Sequence, residues 1–159
     1  MVSAVSGYAE GSGALTDLIL LIFRVNGRLL QAGDQLVAPL GLTSARWQLM
    51  GTIAEARTAL TVAGLAREMG VTRQATQRIA NDLVREGTVA FHPNPKHKRA
   101  PLIVLTDRGR DVYEQALALQ KPWASELSKG LSTAELSAAS AVMSDLLARL
   151  GRASDRQTA

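Results

Sequence analysis

The chain has 159 residues, 47% apolar and 20% charged, with a mean hydropathy of +0.05. That is the size and composition of one folded soluble domain. It contains no cysteine, which excludes disulfides, thiolate catalysis, iron–sulfur clusters, cysteine-ligated zinc and thiol redox sensing. The longest apolar run, Leu18 to Phe23, is bounded by Asp17 and Arg24, far short of the roughly 20 residues of a membrane span. The expectation is a cytoplasmic protein that neither spans a membrane nor is exported.

The formal charge is +4 and the isoelectric point near 10.0. Between Arg67 and Arg110 nine basic residues face four acidic ones, whereas the rest of the chain holds nine basic and ten acidic residues. Both histidines, His92 and His97, lie in the same stretch. A basic surplus confined to one subregion points to an anionic polymer as partner.

In chain order, residues 1–13 are small, rich in glycine and serine, and carry one charge, the composition of a loose arm. From Leu15 to Val37 apolar residues follow a helical stripe, and Leu20, Leu21, Phe23 and Leu30 widen it, so this helix needs cover on more than one side. Pro39 and Gly41 end it. Thr43 caps a second helix to about Ala56, with Trp47, Met50 and Ile53 inward. Thr61 opens a short third helix that Gly70 closes, and Thr72 caps a fourth that ends at Gly87.

Beyond Gly87 the period becomes extended, giving two strands at 88–92 and 102–105. Between them Pro93, Pro95 and Pro101 stiffen a hairpin loop that carries Lys96, His97, Lys98 and Arg99. Thr106 and Asp107 start a long helix through Val112, Ala116, Leu119, Trp123 and Leu127 to Gly130, with a bend expected at Pro122. Ser132 and Glu135 form a capping box for a last helix with Leu136, Ala139, Met143, Leu146, Leu147 and Leu150 on one seam. Residues 151–159 read as a polar tail.

This order is mainly α with a small β-hairpin wing, a winged helix-turn-helix flanked by further helices. On the fourth helix Thr72, Ala75, Thr76, Ile79 and Leu83 fall to one side, and Arg73, Gln74, Gln77, Arg78 and Asn81 to the other. Arg, Gln and Asn are the side chains whose paired hydrogen bonds fit guanine and adenine edges in the major groove. Such a face alone is an ordinary solvated surface; the turn before it and the basic hairpin after it favour DNA. Lys96, Lys98 and Arg99 suit phosphates, or for Arg99 a narrow minor groove. His97 and His92 lack metal-ligand spacing, so no metal or cofactor is expected.

The first helix and the seam of the last leave more apolar surface than one small core covers, which predicts a homodimer and a near-palindromic site with half-sites about 10 bp apart. An enzyme is disfavoured: there is no nucleophile elbow or Walker loop, and Gly7, Gly11 and Gly13 follow no strand. An architectural DNA binder of the same fold stays open, and a purely protein-binding winged helix would leave the basic surplus unexplained.

The segments Leu42-Thr43-Ser44-Ala45-Arg46-Trp47, Leu65 to Arg73, Arg78 to Gly87, and Arg99 followed by Leu105-Thr106-Asp107-Arg108-Gly109-Arg110 resemble the MarR family of bacterial winged-helix transcription regulators. The resemblance covers about residues 15–150. It implies one domain over 14–150, with 14–38 and 107–150 as dimerisation helices and 43–106 as the DNA-binding lobe. It implies a repressor on the bacterial nucleoid, with Arg73, Gln74, Gln77 and Arg78 toward DNA and Arg99 in the wing. The family's wing usually has an acidic residue two before that arginine; here it is His97, so an ionic brace is missing. The resemblance further implies a pocket for a small phenolic or aromatic effector, an aromatic acid in some members, with Phe23, Arg24, Arg28, Trp47 and Tyr113 as candidates.

Overall fold

The computed structural model describes residues 10–157, with side chains over 12–152. The elements are α1 (Glu10–Val37), a 3₁₀ turn (Ala38–Leu40), α2 (Ser44–Glu55), β1 (Leu60–Thr61), α3 (Val62–Met69), α4 (Arg73–Arg85), β2 (Val89–His92), β3 (Leu102–Leu105), α5 (Asp107–Leu127) and α6 (Thr133–Gln157). This is the expected mainly helical architecture with a small antiparallel sheet.

The caps act where the sequence places them. The Thr43, Thr61 and Thr72 hydroxyls accept from the backbone N–H groups of Arg46, Gly64 and Ala75, relieving the unsatisfied first turns of α2, α3 and α4. Gly70 adopts φ +65° and closes α3, a left-handed position that costs glycine little. Ser132 and Glu135 exchange their capping-box bonds at the start of α6.

Four expectations are corrected. The described part of α1 begins at Glu10, inside the expected arm; residues 1–9 of that arm lie outside the described residues. The last helix runs through Gly151 to Gln157 because Gly151 has no left-handed turn and its neighbours are helix-compatible; residues 158–159 of the expected tail lie outside the described residues. The fifth helix stops at Leu127, and a turn ending on Gly130, φ +83°, follows it. The sheet has three strands in the order β1-β3-β2, not two, with Leu60 paired to Ile103 and Thr61 to Leu102.

The chain divides into two compact units, Met1–Gln120 and Lys121–Ala159. Among the described residues the buried core belongs to the first: Val37, Leu49, Met50, Leu65, Ala80, Leu83, Val89, Ile103 and Ala116 are its central members. Asp34 accepts from the Ser44 N–H at 2.6 Å, and the Ser44 hydroxyl donates to the Leu30 carbonyl at 2.7 Å, tying α1 to the start of α2. In the second unit α6 leaves Leu136, Val142, Met143, Leu147 and Leu150 exposed.

Candidate nucleic-acid interface

Thr76, Ala80 and Leu83, spaced one helical turn apart, are fully buried and anchor α4 in the core. This turns Arg73, Gln74, Arg78 and Asn81 to solvent, with Gln77 half-buried. Ala75, expected inward, is exposed, and Ala80 takes the buried place, because the packed stripe lies further round the helix than the apolar residues alone indicated. The Gln77 amide N–H donates to the Asn81 side-chain oxygen at 2.9 Å, so one amide fixes the donors and acceptors of the other. With Arg73, Gln74 and Arg78 they border a shallow concavity of about 610 Å³.

The acidic residues of this segment are taken up from behind. Arg46 on α2 lies 3.5 Å from Asp82 and 2.7 Å from Glu86, and Arg85 also pairs with Asp82. The guanidinium of Arg46 therefore screens the carboxylates at the far end of α4, which would otherwise offset the positive field of its outer face.

The wing is held by an amide. Asn94 is buried; its side chain donates to the Ala100 carbonyl at 2.9 Å and accepts from the Lys96 N–H at 3.0 Å. Two successive turns, His97 N–H to Asn94 carbonyl and Ala100 N–H to His97 carbonyl, complete the tip. Lys96, His97, Lys98 and Arg99 are exposed around it. The loop backbone is thus clasped from within by a neutral side chain. Arg99 borders a hollow of about 180 Å³ with Arg73 and Gln77, so residues distant in sequence converge where α4 begins.

The base of the wing is tied to α5. Thr106 donates its hydroxyl to the Gly87 carbonyl at 2.7 Å and its N–H to the Thr88 carbonyl at 3.1 Å. A Cβ on Gly109 would lie 1.9 Å from that Thr88 oxygen, so only glycine permits the approach. Asn94, Arg46 and Gly109 were not singled out from sequence as positioning residues; of these only Asn94, before Pro95, carries a local turn signal.

The effector candidates separate. Trp47 and Tyr113 line one cavity of about 360 Å³ between α2 and α5, with Gly51, Glu55 and Met69. Phe23, Arg24 and Arg28 do not line it; all three are exposed on α1, Phe23 by 69%, because in one chain nothing covers that face. The Tyr113 hydroxyl donates to the Glu55 carboxylate, and burial foremost, then the negative charge and hydrogen bond of Glu55, raise its pKa above the ordinary phenol value. Among the described residues no cluster of three or more His, Cys, Asp or Glu could hold a metal, and no helix is long and apolar enough to cross a membrane.

Comparison with known proteins agrees with this geometry. A family model described as MarR family matches residues 40–100, the segment that holds the turn, α4 and most of the wing. An uncharacterised protein of Mycobacterium tuberculosis is 43% identical over 103 residues, 65% of this chain and 71% of that protein. The multiple antibiotic resistance protein MarR of Escherichia coli is 30% identical over 117 residues, 73% of this chain and 81% of that protein. The crystal structure of an Escherichia coli MarR mutant complexed with operator DNA superposes with a TM-score of 0.74 at 27% identity, covering 87% of this chain and 99% of that one. On its fold, its α4–wing geometry and these relationships, the chain belongs to the MarR family of transcriptional regulators.

Proposed function

We propose that this chain is a sequence-specific DNA-binding regulator that acts as a homodimer, a repressor released from its promoter by a small aromatic molecule. The observation that carries the reading is the outer face of α4, where Arg73, Gln74, Gln77, Arg78 and Asn81 stand together with Arg99 of the wing beside Arg73 and Gln77. In this reading Thr72 and these α4 residues meet base edges and nearby phosphates, while Lys96, Lys98 and Arg99 neutralise the backbone next to the groove. The operator complex of Escherichia coli MarR supports the same use of the fold.

Dimerisation is supported by exposed apolar surface. Leu20, Leu21 and Phe23 are exposed on α1, and Leu147 and Leu150 on α6, more than a monomeric surface usually leaves open. The domain scheme follows: helices within 14–38 and 107–150 pair the copies, and 43–106 meets the operator. The site of action is the bacterial cytoplasm and its nucleoid, and the role is regulation, not catalysis. A hydroxyl-radical footprint on a bound duplex tests the arrangement: two protected half-sites about one helical turn apart, or a multiple of it, support it, and a single unpaired footprint contradicts it.

A further inference from the structure

We infer that the cavity between α2 and α5 is built for an amine-bearing aromatic molecule and not for an aromatic carboxylate. The inference rests on the reading of the chain as a ligand-released regulator and gives that ligand its charge. Trp47, Met69 and Leu117 supply apolar and aromatic wall, Gln48 and Gln120 neutral amides, and Glu55 the one charged side chain of the lining. Among the described residues no arginine, lysine or histidine borders this cavity. Among the described residues no ion pair engages Glu55 either. Glu55 also borders a separate hollow, together with Arg57 and Glu68.

The consequences are electrostatic. A carboxylate brought beside Glu55 meets a like charge in a partly enclosed space, whereas an ammonium meets an opposite one. Trp47, also in the lining, carries an aromatic ring of the kind whose face attracts ammonium groups. The field of Glu55 already acts on its neighbour, the phenol of Tyr113, which it helps keep protonated. Space comes from Gly51, where a Cβ would stand 3.3 Å from the Tyr113 hydroxyl oxygen. An occupant is also connected to the DNA face, because Arg46, next to Trp47 on α2, pairs with Asp82 on α4 and with Glu86, its capping residue. A ligand that displaces α2 acts directly on the helix that carries Arg73 and Gln77.

The test uses phenethylamine and phenylacetate, which share a ring and a short tether and differ in the sign of their charge. Each is titrated calorimetrically at neutral pH into the full chain and into its Glu55→Gln variant, and binding to a duplex selected from a random pool is followed alongside. Phenethylamine is expected to bind about tenfold more tightly than phenylacetate, with Glu55→Gln removing most of that preference. Tighter binding of phenylacetate, equal binding, binding of neither, or an amine preference that survives Glu55→Gln would each overturn the assignment. A protein that binds its selected duplex but fails this test loses the cavity assignment and keeps the regulator reading. A protein that selects no duplex loses the regulator reading, whatever the amines do.

Discussion

Arg46 and Glu86 stand 2.7 Å apart, Nη1 to Oε1, and join the first turn of α2 to the residue that caps α4. The Arg46 side chain is 25% exposed and that of Glu86 38%, so water screens the pair in part. Arg46→Met keeps much of the stem and deletes the charge, and a loss of about 1 kcal/mol in folding free energy is expected. Urea unfolding checks it, and an unchanged midpoint would mean that the pair contributes nothing.

Side chains on α4 and in the wing should respond differently to deletion. Arg73→Ala or Gln77→Ala is expected to relax base preference at particular operator positions, by about 1–3 kcal/mol each. Lys96→Ala should weaken all duplexes alike and reduce the slope of log affinity against log salt by about one phosphate. Anisotropy titrations over a panel of single-base variants and salt concentrations separate the two behaviours. A change of base preference in Lys96→Ala would show that the contacts are sorted wrongly.

Asn94 holds the wing tip through its bonds to Ala100 and Lys96. Replacing it by alanine frees Lys96, Lys98 and Arg99 together, so the salt slope should fall by about two or three phosphates with α4's base preference retained. The same titrations read the outcome. A slope equal to the parent's would mean that the basic tip contacts no phosphate or needs no clasp.

Gly109 is the most constrained glycine among the described residues. Gly109→Ala places a Cβ 1.9 Å from the Thr88 carbonyl oxygen, a backbone atom that cannot yield without moving β2 away from α5. Destabilisation by about 3 kcal/mol or more is expected. Thermal unfolding with a shift of only a degree or two would contradict that packing.

Tyr113 gives a pH dependence whose sign is set by its neighbours. Burial first, and Glu55 second, raise its pKa above 10.0. A raised folded-state pKa means the phenol contributes stability that is complete below the ordinary phenol pKa and is lost as pH climbs through the raised one. Ultraviolet titration should find one phenol ionising later than a free tyrosine, and Glu55→Gln should move it partly back. A Tyr113 phenol that titrates as a free tyrosine would contradict the contact with Glu55.

What the sequence made legible was local. Thr61, Gly70 and Thr72 signal their helix ends through bonds made within a few residues, so α3, α4 and the turn between them followed directly. Leu60–Thr61 did not, because a strand this short exists only through pairing with Leu102 and Ile103, some forty positions away. Ala75 and Ala80 are both small and give little sign of which faces the core. Trp47 and Tyr113 line one cavity because it lies between α2 and α5, whereas Phe23, an aromatic signal too, stays exposed in the single chain. The outer face of α4 was readable because helical spacing alone sets it; the pairing of Gln77 with Asn81 and the approach of Arg99 were not.

The central claim is specific recognition of DNA, and selection of bound sequences from random duplexes tests it most directly, followed by affinities for the winner and a scrambled control at two salt concentrations. A near-palindromic winner preferred by about 10³ or more is expected. Salt-sensitive binding without an enriched sequence would contradict it and leave an architectural DNA binder of the same fold. No binding to any duplex would contradict it outright.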